Sequence, residues 1–92
     1  NLEGAEMGHV YLLQANLGEA ILTSANLGKA ELKEANLGKA KLVGVDLAWA
    51  NLQGANLGKA NLDKANLHGA DLENANLESI KNFNSKLHKV RY

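Results

Sequence analysis

Ala55-Asn56-Leu57-Gly58-Lys59-Ala60-Asn61-Leu62 decides the fold: two leucines stand five residues apart, each with an alanine two places before it. The spacing runs far beyond this stretch. Every fifth residue from Leu2 to Leu77 is leucine except Met7, and Ala15-Asn16-Leu17-Gly18-Glu19 is the same pentad near the other end. From Ala5 to Ile80 the slot two before is alanine thirteen times in sixteen, the others being Val10, Val45 and Ile80. An α-helix cannot use this pattern, because a step of five residues rotates a side chain by about 140° and scatters the leucines around the circumference. A continuous strand fails as well, since its period of two sends successive leucines to opposite faces. A short extended piece ending in a bend does work. Ala and Leu then face one side, the other three residues turn the corner, and the chain winds into a coil with Leu and Ala in its lumen.

The outward slots agree. Before leucine stands asparagine (Asn16, Asn26, Asn36, Asn51, Asn56, Asn61, Asn66, Asn76) or aspartate (Asp46, Asp71), whose side chains hydrogen-bond nearby backbone and stabilise bends. After leucine stands glycine at Gly8, Gly18, Gly28, Gly38 and Gly58, which suits a corner with positive φ. Proline is absent, as expected where each coil donates backbone N–H groups to the next.

With these residues, over roughly positions 1 to 80, the chain resembles the pentapeptide-repeat family, whose motif is A(N/D)LXX. The resemblance implies an all-β solenoid, a right-handed quadrilateral β-helix with four pentads per coil and about four coils. Four per coil is the family's number. Outside the core slots, identities at a lag of ten residues are at least as common as at twenty. With four, positions twenty apart stack, and Asn16, Asn36, Asn56 and Asn76 form one external ladder. The expected lumen comprises Leu12, Leu17, Leu22, Leu27, Leu32, Leu37, Leu42, Leu47, Leu52, Leu57, Leu62, Leu67, Leu72 and Leu77, with Ala15, Ala35, Ala55 and Ala75 between them.

Both ends depart from the pattern. Asn82 occupies a leucine slot, and Ile80, Phe83, Leu87 and Val90 then follow at helical spacing. This predicts a repeat domain over 1–79 and an amphipathic helical cap over 80–92, covering the last coil's lumen and strand edges. The first coil has no such cap and is irregular, with Tyr11 and Leu13 in outward slots. An uncapped N-terminal coil is a surface for end-to-end association of copies, or for an upstream segment.

The 92 residues carry ten basic and ten acidic side chains and no cysteine. Neutral balance calls for neither nucleic acid nor an acidic lipid surface. No apolar run approaches a membrane span, and thiolate metal sites are excluded. His9, His68 and His88 are the imidazoles; His68 and His88 would stack if the coil ran through 88, but two histidines without a third ligand define no zinc site. Glu31, Glu34, Asp71 and Glu73 fall on one side with Lys33 among them, a solvated charged face rather than a general-acid pair. No phosphate-binding loop is present. The sequence therefore names no catalytic residue, cofactor or metal.

What remains is a surface. Trp49 stands in an outward corner slot, stacked on the four-pentad arrangement between Lys29 and Gly69. It either anchors a partner or lies over the lysine stem and the bare Gly69 backbone with a cation–π contribution. The expected function is a non-catalytic structural or interaction module presenting a rigid surface to a protein partner, with Trp49, Tyr11 and Leu13 as candidate contacts. The family resemblance offers an alternative, a DNA mimic that binds DNA gyrase. Those relatives are acidic and carry phenylalanine at central slots, whereas this chain is neutral and leucine-filled. Leucine-centred arrays of this kind look like those of cyanobacteria and chloroplasts, which implies a cytoplasmic or thylakoid-lumen location.

Overall fold

The computed structural model describes residues 1–80 and residue 91. Its pairing is set by a constant offset. The residue before each leucine forms a parallel bridge with the residue twenty positions on, from Glu6 with Asn26 to Asn56 with Asn76. One coil is therefore four pentads. The central-slot N–H groups from Leu2 to Leu57 donate to the coil ahead, as Leu27 does to the Asp46 carbonyl at 2.7 Å, while the preceding residue donates backwards, as Asn56 does to Ala35 at 2.9 Å. The bridges stay isolated because each pentad has too few extended residues before its corner to make a longer strand.

We number the four sides by their central residues. Face one centres on Leu2, Leu22, Leu42 and Leu62; face two on Met7, Leu27, Leu47 and Leu67. Face three centres on Leu12, Leu32, Leu52 and Leu72; face four on Leu17, Leu37, Leu57 and Leu77.

Every corner is one turn. The alanine-slot N–H donates back to the leucine carbonyl three residues earlier, as Ala35 does to Leu32 at 3.0 Å. The second of the two residues between them has positive φ in all sixteen pentads, from Gly4 to Ser79, at 57° to 70°. That is the signature of a type II turn. It corrects the reading of Gly8, Gly18, Gly28, Gly38 and Gly58, which occupy the first corner position and have no positive φ. Packing favours glycine at Gly18, Gly28, Gly38 and Gly58, while at Gly8 a Cβ would meet nothing closer than 3.7 Å. A Cβ on Gly38 would stand 3.1 Å from Asn36 Oδ1 and 3.2 Å from Asn56 Nδ2, and one on Gly58 would meet Asn56 and Asn76 at the same distances. The asparagine ladder lies against the space a side chain would need.

The lumen is dry in the middle and less covered at the ends. Leu22, Leu27, Leu32, Leu37, Leu42, Leu47, Leu52, Leu57, Leu62, Leu67 and Leu72 are buried, together with Ala35 and Ala55. Leu12, Ala15, Leu17, Ala75 and Leu77 are half-buried, because a terminal coil has a neighbour on one side only. Leu2 is exposed at the first edge.

The C-terminal expectation changes at one residue. Phe83, Leu87 and Val90 lie outside the described residues, and Ile80 is half-buried against the core. Arg91, which the helical stripe would have included, instead forms a parallel bridge with Asp71. Its N–H donates to the Ala70 carbonyl at 2.9 Å and its carbonyl accepts from Leu72. At 91 the chain is in the twenty-residue register.

Candidate functional site

The external ladders make the surface rigid. On face four, Asn36, Asn56 and Asn76 each donate from Nδ2 to the Oδ1 of the asparagine twenty residues earlier, at 3.2, 3.3 and 3.0 Å. Each Oδ1 also accepts the backbone N–H two residues ahead, as Asn56 does from Gly58 at 2.9 Å. One side chain thus ties its own corner and its neighbouring coil. Mixed ladders follow the same rule, Asn26 donating to Glu6 at 3.0 Å and Asn51 to Glu31 at 3.2 Å.

Trp49 rises from the corner between faces two and three. The next coil offers Gly69 beneath it, and the indole occupies the space where a side chain would be: a Cβ on Gly69 would fall 2.3 Å from Trp49 Cε3. His68 meets the ring edge-on, with centroids 5.1 Å apart and planes at 80°. The indole is still 52% exposed, so it keeps an open surface while its position is fixed from below. Among the described residues the ring contact is this imidazole, and no lysine ammonium lies over the indole. Tyr11, 72% exposed, opens face three two coils before Asn51, and Leu13, 41% exposed, follows it on the same face. The register places Tyr11 beside the Trp49 corner, about 10 Å along the axis.

On face three, the surroundings of Asp71 favour its ionised form. Burial would raise the Asp71 pKa, but the Gln53 amide at 2.7 Å, the Glu73 N–H at 3.0 Å and the Arg91 guanidinium outweigh it and hold the carboxyl below its ordinary value. Arg91 also pairs with Glu73 at 3.2 Å. A general acid needs the opposite shift. Among the described residues no group of three His, Asp or Glu side chains could hold a metal ion, and His88 lies outside them. Nor is any described helix long and apolar enough to cross a membrane.

Comparison with known proteins agrees with this construction. The family model for pentapeptide repeats matches residues 1–38 and 40–78 in eight copies. Among curated proteins none matches. Three solved structures are similar. A pentapeptide repeat protein from the thylakoid lumen of Arabidopsis thaliana is 32% identical, with a TM-score of 0.82, over 98% of this chain and 59% of that one. HetL, a pentapeptide repeat protein of the cyanobacterium Nostoc involved in heterocyst differentiation regulation, is 35% identical, with a TM-score of 0.79, over 94% of this chain and 38% of that one. Rfr23 from the cyanobacterium Cyanothece is 36% identical, with a TM-score of 0.68, over 88% of this chain and 58% of that one. The chain thus spans between 38% and 59% of the length of these structures. With the family model covering most of its residues, the chain belongs to the pentapeptide-repeat family.

Proposed function

We propose that this chain is a non-catalytic display module that binds a protein partner through the corner between faces two and three, with Trp49 as anchor and Tyr11 and Leu13 extending the contact. The observation that carries the reading is an indole half open to solvent yet seated on the Gly69 backbone. A pre-positioned aromatic loses little freedom on binding, which is why such residues dominate interface energetics. The Nostoc relative's described part in regulation suits a module that acts by being bound. The thylakoid-lumen source of the Arabidopsis relative supports a thylakoid-lumen setting, with the cytoplasm as the alternative.

The test is affinity capture from cyanobacterial and chloroplast extracts with wild type, Trp49→Ala and Tyr11→Ser. A specific protein retained by wild type and lost with Trp49→Ala supports the reading, whereas one retained equally by all three places the working surface elsewhere. Leu2 and Leu13 at the first edge are also where a second copy would stack. Light scattering across a concentration series tests that: a rising mass that Leu13→Glu abolishes supports stacking, and a constant monomer mass removes it.

A further inference from the structure

Three lysines meet at the corner diagonally opposite Trp49. Lys39 and Lys59 hold the same corner position in successive coils, joined by the Lys39 N–H to Gly58 carbonyl bond at 2.8 Å, and Lys41 opens face one beside them. Together with Thr23, Ala40, Val43 and Asn61 they line a depression of about 220 Å³. No carboxylate lines it. Glu19 precedes Lys39 by one coil in the same corner column, and with Glu78 it lines the neighbouring groove on face four. Among the described residues the ion pairs belong to Arg91, and Lys39, Lys41 and Lys59 take part in none. Cations one coil spacing apart, about 4.8 Å, repel each other across the sheet.

A second feature points the same way. At the ladder position, Asn26, Asn36, Asn51, Asn56, Asn66 and Asn76 each donate Nδ2 to an acceptor on the residue twenty earlier, at 3.0 to 3.4 Å. Asn61 has Lys41 there, and an ammonium accepts nothing. Its Oδ1 is committed to the Asp63 N–H at 3.1 Å. Its NH₂ group, alone in this series, has no acceptor among the described residues. The column of Ile21, Lys41 and Asn61 breaks the amide ladder where the lysines gather.

We propose that this corner binds an oxyanion of the phosphate or sulfate class. Three ammonium groups, the Asn61 amide and the Thr23 hydroxyl can all donate into one depression, and a tetrahedral anion has enough acceptor oxygens to answer donors arriving from two faces. The anion offsets the lysine repulsion and gives the Asn61 amide an acceptor in place of solvent. Val43, half-buried, supplies an apolar edge that fits the organic part of an ester. The site is independent of the Trp49 corner, so neither reading depends on the other.

The experiment is a ¹⁵N-resolved NMR titration of the full chain with inorganic phosphate and with phenyl phosphate, against sodium chloride at matched ionic strength. The Asn61 side-chain NH₂ and the Lys39, Lys41 and Val43 amides shift saturably, with a Kd on the order of 1 mM. Affinity falls at least tenfold in Lys41→Gln/Lys59→Asn, whose asparagine tolerates the positive φ at 59. Tighter binding of phenyl phosphate identifies an ester as the natural form; equal binding identifies the free anion. In low salt without either anion, the double variant melts higher than wild type because the repulsion is gone. Should that variant fail to fold, Lys41→Gln alone serves. Chloride-like shifts that never saturate, or unchanged affinity in the variant, overturn the proposal.

Discussion

The residue that turns each corner carries a backbone cost that its side chain hides. Lys29, at φ 60°, is exposed, yet it holds a conformation that L-residues adopt reluctantly. Lys29→Val should destabilise by about 1 to 3 kcal/mol, since a β-branched side chain is least tolerant of that region. Lys29→Gly should stay within about 0.5 kcal/mol of wild type, relief of strain offsetting the added freedom of the unfolded chain. Thermal or urea unfolding of the pair measures both, and a harmless valine would refute the type II corner. The sequence contains this corner in a form that is easy to overlook. At the sixteen corner positions from Gly4 to Ser79 there are four glycines and no valine, isoleucine or threonine. The more frequent glycine one place earlier attracts attention, but it reports the crowding of the asparagine ladder. Asparagines in one motif slot are likewise unequal. Asn56→Ala removes bonds to Gly58, Asn36 and Asn76 and should cost about 1 to 2 kcal/mol. Asn61→Ala removes the bond from Asp63 and should cost less than about 1 kcal/mol.

At the scale of a coil, leucine fills the lumen and alanine sets its width. Ala35 is fully buried on face four, so Ala35→Leu adds volume where no space exists and should destabilise by about 1 to 3 kcal/mol. Leu52→Ala should cost about 2 to 5 kcal/mol through the cavity it leaves. Face three adds a pH dependence. The Asp71 pKa is lowered in the folded chain, so its contribution is complete above the unfolded value of about 3.9 and is lost as pH falls through the folded value. The stability advantage of wild type over Asp71→Asn should therefore shrink as pH falls below the ordinary carboxylate value of about 3.9; an advantage that grows on acidification would contradict the cluster with Gln53, Glu73 and Arg91. These elements were readable because a fixed spacing repeats over sixteen pentads and each copy confirms the others. The end was not. Asn82 in a leucine slot suggests a break and a helix, but Leu87, Val90 and Tyr92 fall on the leucine, small-apolar and leucine slots of the same count. Asn82 and Ser85 are both polar in core slots, and of this stretch the structure describes Arg91, whose bridge with Asp71 keeps the twenty-residue register.

For the molecule as a whole, function follows from rigidity and from where the repeat is interrupted. Ladders tie each coil to the next, so the surface holds a fixed pattern, and the departures are the informative points: Trp49 over Gly69 on one corner, Lys41 above Asn61 beside the opposite one. The sequence exposes the first as a lone tryptophan. It hides the second, because Lys39, Lys41, Lys59 and Asn61 become neighbours only after the coil length is known, and identities at a lag of ten leave that length open. Closure every twenty residues is thus the claim on which both surfaces stand. Its most direct measurement is cysteine cross-linking, which the absence of native cysteine makes clean. Asn36→Cys combined with Asn56→Cys should form an intramolecular disulfide rapidly on mild oxidation, because bridged positions lie at a coil spacing compatible with the bond. Asn36→Cys with Asp46→Cys or with Asn51→Cys, on other faces, should remain reduced. Rapid closure at a lag of ten or fifteen, with none at twenty, would contradict the account.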